Sequence, residues 1–151
     1  MGLFDVFEHI EDDLSFLRSL QLLLASKGKL YITVPAYSFL WSQEDIFVGH
    51  YRIYTIHTLT ERLNQAGFIV EFSTYIFRFL PLPIFLLRSI PYRLGLANKE
   101  PTKASITRDH AVKNNILGKL LDIALSVEIR NIQNNFPVNY GGSCLLAATS
   151  P

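Results

Sequence analysis

Apolar and polar positions alternate along this chain in two rhythms, and the change of rhythm marks the elements. Leu3 to Phe7 form a short apolar run interrupted by Asp5, the pattern of a buried strand. Glu11 to Ser26 place Phe16, Leu17, Leu20, Leu23 and Leu24 at i, i+1, i+4, i+7 and i+8, which predicts a helix with one apolar stripe. Three acids stand in its first turn, where they complement the positive end of the helix dipole, and Gly28 supplies a stop. Leu30 to Val34 are rich in branched residues and predict a second strand, ended by Pro35. A second helix runs from Thr55 or Thr58 to Ala66. Thr58 and Glu61 stand at capping-box spacing, and Leu59, Leu63 and Ala66 face inward. Phe68 to Phe77 predict a third strand. Val112 to Asn134 predict a long helix with Ile116, Leu120, Ile123 and Val127 on one face, and Ser143 to Thr149 a last strand after the Gly141-Gly142 turn.

Strands alternating with helices imply an α/β layer with a mainly parallel sheet. Two segments interrupt that order. Residues 36–54 are a long polar and aromatic connection, and connections of that length inside a compact domain are usually functional. Residues 78–96 are strongly apolar but broken by Pro81, Pro83 and Pro91 and carry Arg78, Arg88 and Arg93. A spanning helix needs roughly 20 apolar residues with few charges, so this segment is not expected to cross a membrane. It reads as ordinary core or a dimer contact, as a lid over a site, or as a face resting on a membrane surface with its arginines reaching the head groups.

Composition narrows the classes. Hydrophobic residues make up 49% and charged residues 18% of the 151, which excludes disorder and is enough for one domain with a core. The formal net charge of +1 and the lack of a dense basic block argue against a nucleic-acid partner. The lone Cys144 excludes an intrachain disulfide and reads as a small core residue. A reducing, cytoplasmic setting fits, and no secretory signal is visible.

The candidate chemistry lies in two groups. Asp5, Glu8 and His9 follow an apolar run, as polar groups do at the carboxyl edge of a sheet, where ligands sit. Asp5 reads equally well as a ligand-facing acid or as a cap on the following helix. His9 reads as a structural histidine or a site residue. The second group, Trp41 to Asp45 with Gly49 to Tyr54, gathers acids, a histidine, an arginine and aromatics in one connection. Arg52 could hold an anion or pair with Asp45, and His50 could act as a general base. The alternative is a self-packed loop. The histidines at 9, 50, 57 and 110 show no paired metal-ligand spacing, so no metal is expected. No Gly-x-Gly-x-x-Gly or Walker-type loop and no Gly-x-Ser-x-Gly elbow occurs.

Taken in order, Leu3-Phe-Asp-Val-Phe-Glu-His-Ile-Glu-Asp-Asp13, Gly28-Lys-Leu-Tyr-Ile-Thr-Val-Pro-Ala-Tyr37, Leu40-Trp-Ser-Gln-Glu-Asp45, Gly49-His-Tyr-Arg-Ile-Tyr54 and Leu63-Asn-Gln-Ala-Gly-Phe68 resemble the class I S-adenosylmethionine-dependent methyltransferases, closest to their small-molecule "type 11/12" branch. The resemblance covers residues 2 to about 76. It implies a partial Rossmann-like methyltransferase sheet, strands four to seven, with flanking helices and an apolar insertion or lid at 78–110 in a single unit. It implies S-adenosyl-L-methionine as cofactor, with Asp5 and Glu8 on the cofactor side and His9 and His50 as catalytic groups. Tyr37, Trp41, Asp45, Arg52 and Tyr54 would bind a small-molecule or lipid-like substrate. The family's first three strands, its glycine-rich loop and its ribose-binding acid have no counterpart here. The expectation is a C-terminal half that binds the cofactor weakly alone. The competing expectation is a non-catalytic module that docks to an N-terminal partner half, to a second copy, or to a membrane surface.

Overall fold

The computed structural model describes residues 1–37, 48–95 and 116–151. Their hydrophobic pattern resolves into an open four-stranded sheet with helices against it. The strands are β1 (Gly2–Phe4), β2 (Lys29–Pro35), β3 (Ile69–Ile76) and β4 (Ser143–Thr149), in the spatial order β1-β2-β4-β3. β1 and β2 are parallel, with Leu3 opposite Ile32. β4 runs antiparallel to both β2 and β3, with Ser143 opposite Pro35 and Ile76. The expectation of a mainly parallel sheet is therefore corrected. β1, β2 and β3 point one way, but β4 wedges between two of them and leaves one parallel pair. Strand direction depends on the connection, and a period-two apolar run has no polarity of its own.

The helices are α1 (Asp13–Leu23), α2 (Ile56–Gln65), the short α3 (Pro81–Ile84) and α4 (Ile90–Arg93), and α5 (Ile116–Gln133). α3 and α4 are joined by a π-helical turn at Phe85–Ser89. No helix among the described residues is long and apolar enough to cross a membrane.

Burial explains most of the pattern. Phe7, Leu17, Leu30, Ile32, Val34, Leu59, Leu63 and Leu146 are all closed to solvent and form one core. Leu59, Leu63 and Ala66 face inward as their spacing requires, and Cys144 is buried. Four details differ from the sequence reading. β1 stops at Phe4, and Phe7 lies in a 3-10 turn instead of the strand. α1 starts at Asp13, capped by Asp12, whose carboxylate accepts from Ser15 N at 3.1 Å. Leu23 lies outside the core stripe, 74% exposed. The α2 capping box is Thr55 with Thr58, not Thr58 with Glu61, because the chain is still extended at Thr55 (φ −113°, ψ 164°).

α5 shows the largest departure. Ile123 and Val127, which the spacing places on one apolar face, are 62% and 50% exposed. The residue that anchors the helix is a charged one. Glu128 is buried, and its carboxylate accepts Phe77 N at 2.8 Å and Arg78 N at 2.7 Å, closing off the end of β3. Glu128→Ala would leave two amides without a partner, at about 2 kcal/mol. The expected result is a lower urea midpoint together with faster amide exchange at Phe77 and Arg78. Unchanged exchange there would remove the anchoring role.

Close packing at the same edge explains Gly141. A Cβ on it would collide with the Ile76 backbone, so the turn into β4 admits only glycine.

Candidate functional site at the carboxyl edge

β1, β2 and β3 deliver their last residues to one edge, and at each the backbone turns sharply. Asp5, Tyr37 and Phe77 have positive φ values of 51°, 64° and 58°. Aspartate tolerates that region, whereas tyrosine and phenylalanine rarely enter it. Three such turns, at the ends of the three strands that point the same way, locate the strain at the sheet edge where α/β proteins place ligands.

Beyond Asp5 the chain forms a 3-10 turn at Phe7–His9. Phe7 turns inward and stacks on Tyr54, with ring centroids 5.3 Å apart. Of the residues that follow it, Glu8 is buried and His9 is exposed. Segment 49–54 lies along this turn and is laced to it. Tyr51 N donates to Glu8 O at 2.9 Å, and Arg52 Nη2 donates to Glu11 O at 2.5 Å. A parallel bridge between Ala36 and Tyr54 extends the sheet by one residue pair and sets the register of the segment.

The lacing brings the two sequence groups together. The rings of His9 and His50 stand 4.8 Å apart at 60°. His50 Nε2 lies 3.9 Å from Glu8 Oε1. His9 Nδ1 is 3.3 Å from Gly49 O, and because a carbonyl only accepts, that nitrogen carries the proton. Gly49 reaches this position with φ +77°, where a side chain is disfavoured. Burial raises the Glu8 carboxyl above its ordinary pKa and Asp5 adds to this, while its own backbone amide, His50 and His9 pull the other way. Glu8 Oε2 is buried without a hydrogen-bond partner among the described residues.

Arg52 and Tyr54 are both tied to α1 through Asp13. Asp13, nearly buried, receives Arg52 Nη1 at 2.6 Å, Arg62 Nε at 3.4 Å and the Tyr54 hydroxyl at 3.0 Å. Among the described residues, the carboxylate paired with Arg52 is thus that of Asp13. Desolvation alone would weaken the Arg52 charge, but the bond and attraction to Asp13 outweigh it and raise its pKa. Desolvation together with the Asp13 charge also raises the Tyr54 phenol. These two side chains form the foundation of the site. Tyr37 stacks on Tyr75 at 4.9 Å, and its hydroxyl donates to Asn139 O at 3.3 Å. Trp41 and Asp45 lie outside the described residues. The grouping of Glu8 with His50 was not legible from spacing, because it is made by chain closure across some forty residues.

Three cavities lined by described residues lie apart from the Glu8, His9 and His50 cluster. One of about 510 Å³ is lined by Ile56, His57, Thr60, Tyr75 and Val138. It opens beside α2 and holds none of the clustered groups.

Comparison with known proteins agrees with the sequence reading over the same stretch. Residues 1–71, just under half of the chain, match the family model of a methyltransferase domain. All the clustered side chains fall within that range, whereas α5 and β4 fall outside it. No curated protein matches the chain. Among solved structures, phosphoethanolamine N-methyltransferase 2 of Haemonchus contortus, in complex with S-adenosyl-L-methionine, aligns with 99% of this chain at 18% identity and a TM-score of 0.48. The chain spans 32% of the length of that protein.

Proposed function

We propose that this chain carries the acceptor side of an S-adenosylmethionine-dependent methyl-transfer site for a small or lipid-like molecule. The observation that carries the reading is that the methyltransferase-domain match at residues 1–71 contains the whole laced edge, from Asp5 to Tyr54. The cofactor would supply an electrophilic methyl group on a sulfonium. The described residues suit only one end of it. Asp5 and Glu8 offer carboxyl groups to a cationic amine or sulfonium, and no glycine-rich loop among them could cradle an adenosine.

The chain's own residues would orient the acceptor and manage its proton. His9, protonated on Nδ1 by its bond to Gly49, keeps a lone pair on Nε2 and can accept a proton. His50 stands beside it as the second candidate base. Arg52 and Tyr54 fix the segment that carries His50 by gripping Asp13, so the two imidazoles keep their separation. Tyr37 would close the acceptor side, with Trp41 and Asp45 assigned there by resemblance alone.

Calorimetric titration of the chain with S-adenosylmethionine tests the reading. Binding no tighter than the millimolar range is expected, with NMR shifts concentrated at Asp5, Glu8, His9 and His50. Micromolar affinity would overturn the half-site reading, and shifts confined to other residues would overturn the placement.

One observation favours the second reading, a non-catalytic docking module. Phe4, Val6, Leu22 and Leu23 are all exposed, and Phe4 belongs to β1, an edge strand. Sedimentation would separate the readings. A stable monomer across concentrations argues against docking to a second copy.

A further inference from the structure

We propose that Glu8, His9 and His50 form a binding site for one divalent transition-metal ion of the zinc class. One ligand atom from each of the three residues lies within 4.8 Å of the other two. Donors on a shared zinc ion sit about 2.0–2.2 Å from the metal and so stand roughly 3.5 Å from one another. Binding would therefore draw the donors together by about 1 Å.

Two further features separate this cluster from a chance meeting of polar side chains. The first is Glu8 Oε2, buried and without a hydrogen-bond partner among the described residues. A buried carboxylate oxygen left in that condition is costly, and a cation would satisfy it. The second is the bond from His9 Nδ1–H to the Gly49 carbonyl. Ligating histidines are oriented in this way, by a carbonyl or carboxylate on the nitrogen that does not bind the metal. Two imidazoles and one carboxylate suit zinc, cobalt or copper rather than calcium or magnesium, which take oxygen donors. His9 is exposed, so an ion can enter and keep a solvent-facing coordination position.

This inference does not depend on the methyl-transfer reading. A bound ion would occupy the lone pairs that a base needs, so metal binding and proton transfer are alternatives at one place.

The test uses the full chain, zinc chloride or cobalt chloride, and no methyl donor. Calorimetry is expected to give one saturable site, and cobalt is expected to give the visible absorption of a low-symmetry site. His9→Asn and His50→Asn should each weaken binding by more than about tenfold, the low end of what losing even an outer partner costs. His57→Asn, at an exposed histidine on α2 paired with Glu61, should leave affinity unchanged. Circular dichroism of each variant confirms that it folds, and a zinc-dependent rise in Tm should be lost in both site variants. Absence of saturable binding, or binding that survives both site substitutions, would overturn the proposal.

Discussion

Phe7→Ala is expected to destabilise the fold by about 4 kcal/mol. Phe7 is closed to solvent, stacked on Tyr54 and 6.4 Å from the Phe16 ring. It joins the end of β1, the start of α1 and the returning segment at Tyr54. Removing the ring opens a cavity where these three meet, and neither a short 3-10 turn nor an edge strand can collapse into it easily. The effect should reach the site, because Glu8 and His9 follow Phe7 directly. Urea denaturation measures the loss of stability. Cys144 supplies an independent readout. Its thiol is buried, and burial pushes its pKa up to about 12, so alkylation of the folded protein must wait for opening. Phe7→Ala should accelerate alkylation by about a hundredfold or more, on the order of what 3–4 kcal/mol implies when opening and closing are fast relative to alkylation. A change below about 1 kcal/mol would show that Phe7 is not the keystone of this corner.

Asp13→Ala should cost about 3 kcal/mol. Asp13 is the acceptor for Arg52, Arg62 and Tyr54, and removing one member of a buried ionic cluster strands the others. The partial exposure of both arginines keeps the figure at the low end of the range. Asp13→Asn should recover part of the loss, since an amide oxygen still accepts from Tyr54. The readout specific to this cluster is the position of segment 49–54. Loss of Asp13 should release Arg52 and weaken the ring contact between His9 and His50, visible as altered imidazole resonances. If stability falls but those resonances do not move, Asp13 serves the core alone and does not position the site.

Much of the fold was legible residue by residue. The inward placement of Leu59, Leu63 and Ala66, the alternation in β2 and the burial of Cys144 all follow from local spacing. The capping of α2 was displaced by three residues because the deciding fact is the extended backbone at Thr55, and Thr55 and Thr58 are equally good caps on paper. The exposed face of α5 misled for a different reason. An apolar stripe predicts burial only if an element exists to receive it, and α5 is instead held by Glu128 through two strand-end amides.

The candidate site divides along the same line. Asp5, Glu8 and His9 could be singled out because polar groups behind an apolar run are unusual, and the ordered motifs of residues 2 to 76 pointed to methyltransferases. Partnerships could not be read in the same way. Arg52 looked equally suited to an anion or to Asp45, and its partner among the described residues is Asp13, on α1. His50 gave no sign of its approach to Glu8 and His9.

The sequence by itself determined where the main strands and helices lie, much of the core, and the resemblance of residues 2 to 76 to methyltransferases, because each depends on local periodicity or on the order of short motifs. Tertiary structure alone decided the antiparallel insertion of β4, the Asp13 cluster and the meeting of Glu8, His9 and His50. The first depends on the pairing of β4 with β2 and β3, and the other two on a long connection closed by the Ala36–Tyr54 bridge; no local pattern records which distant groups such closures bring within reach.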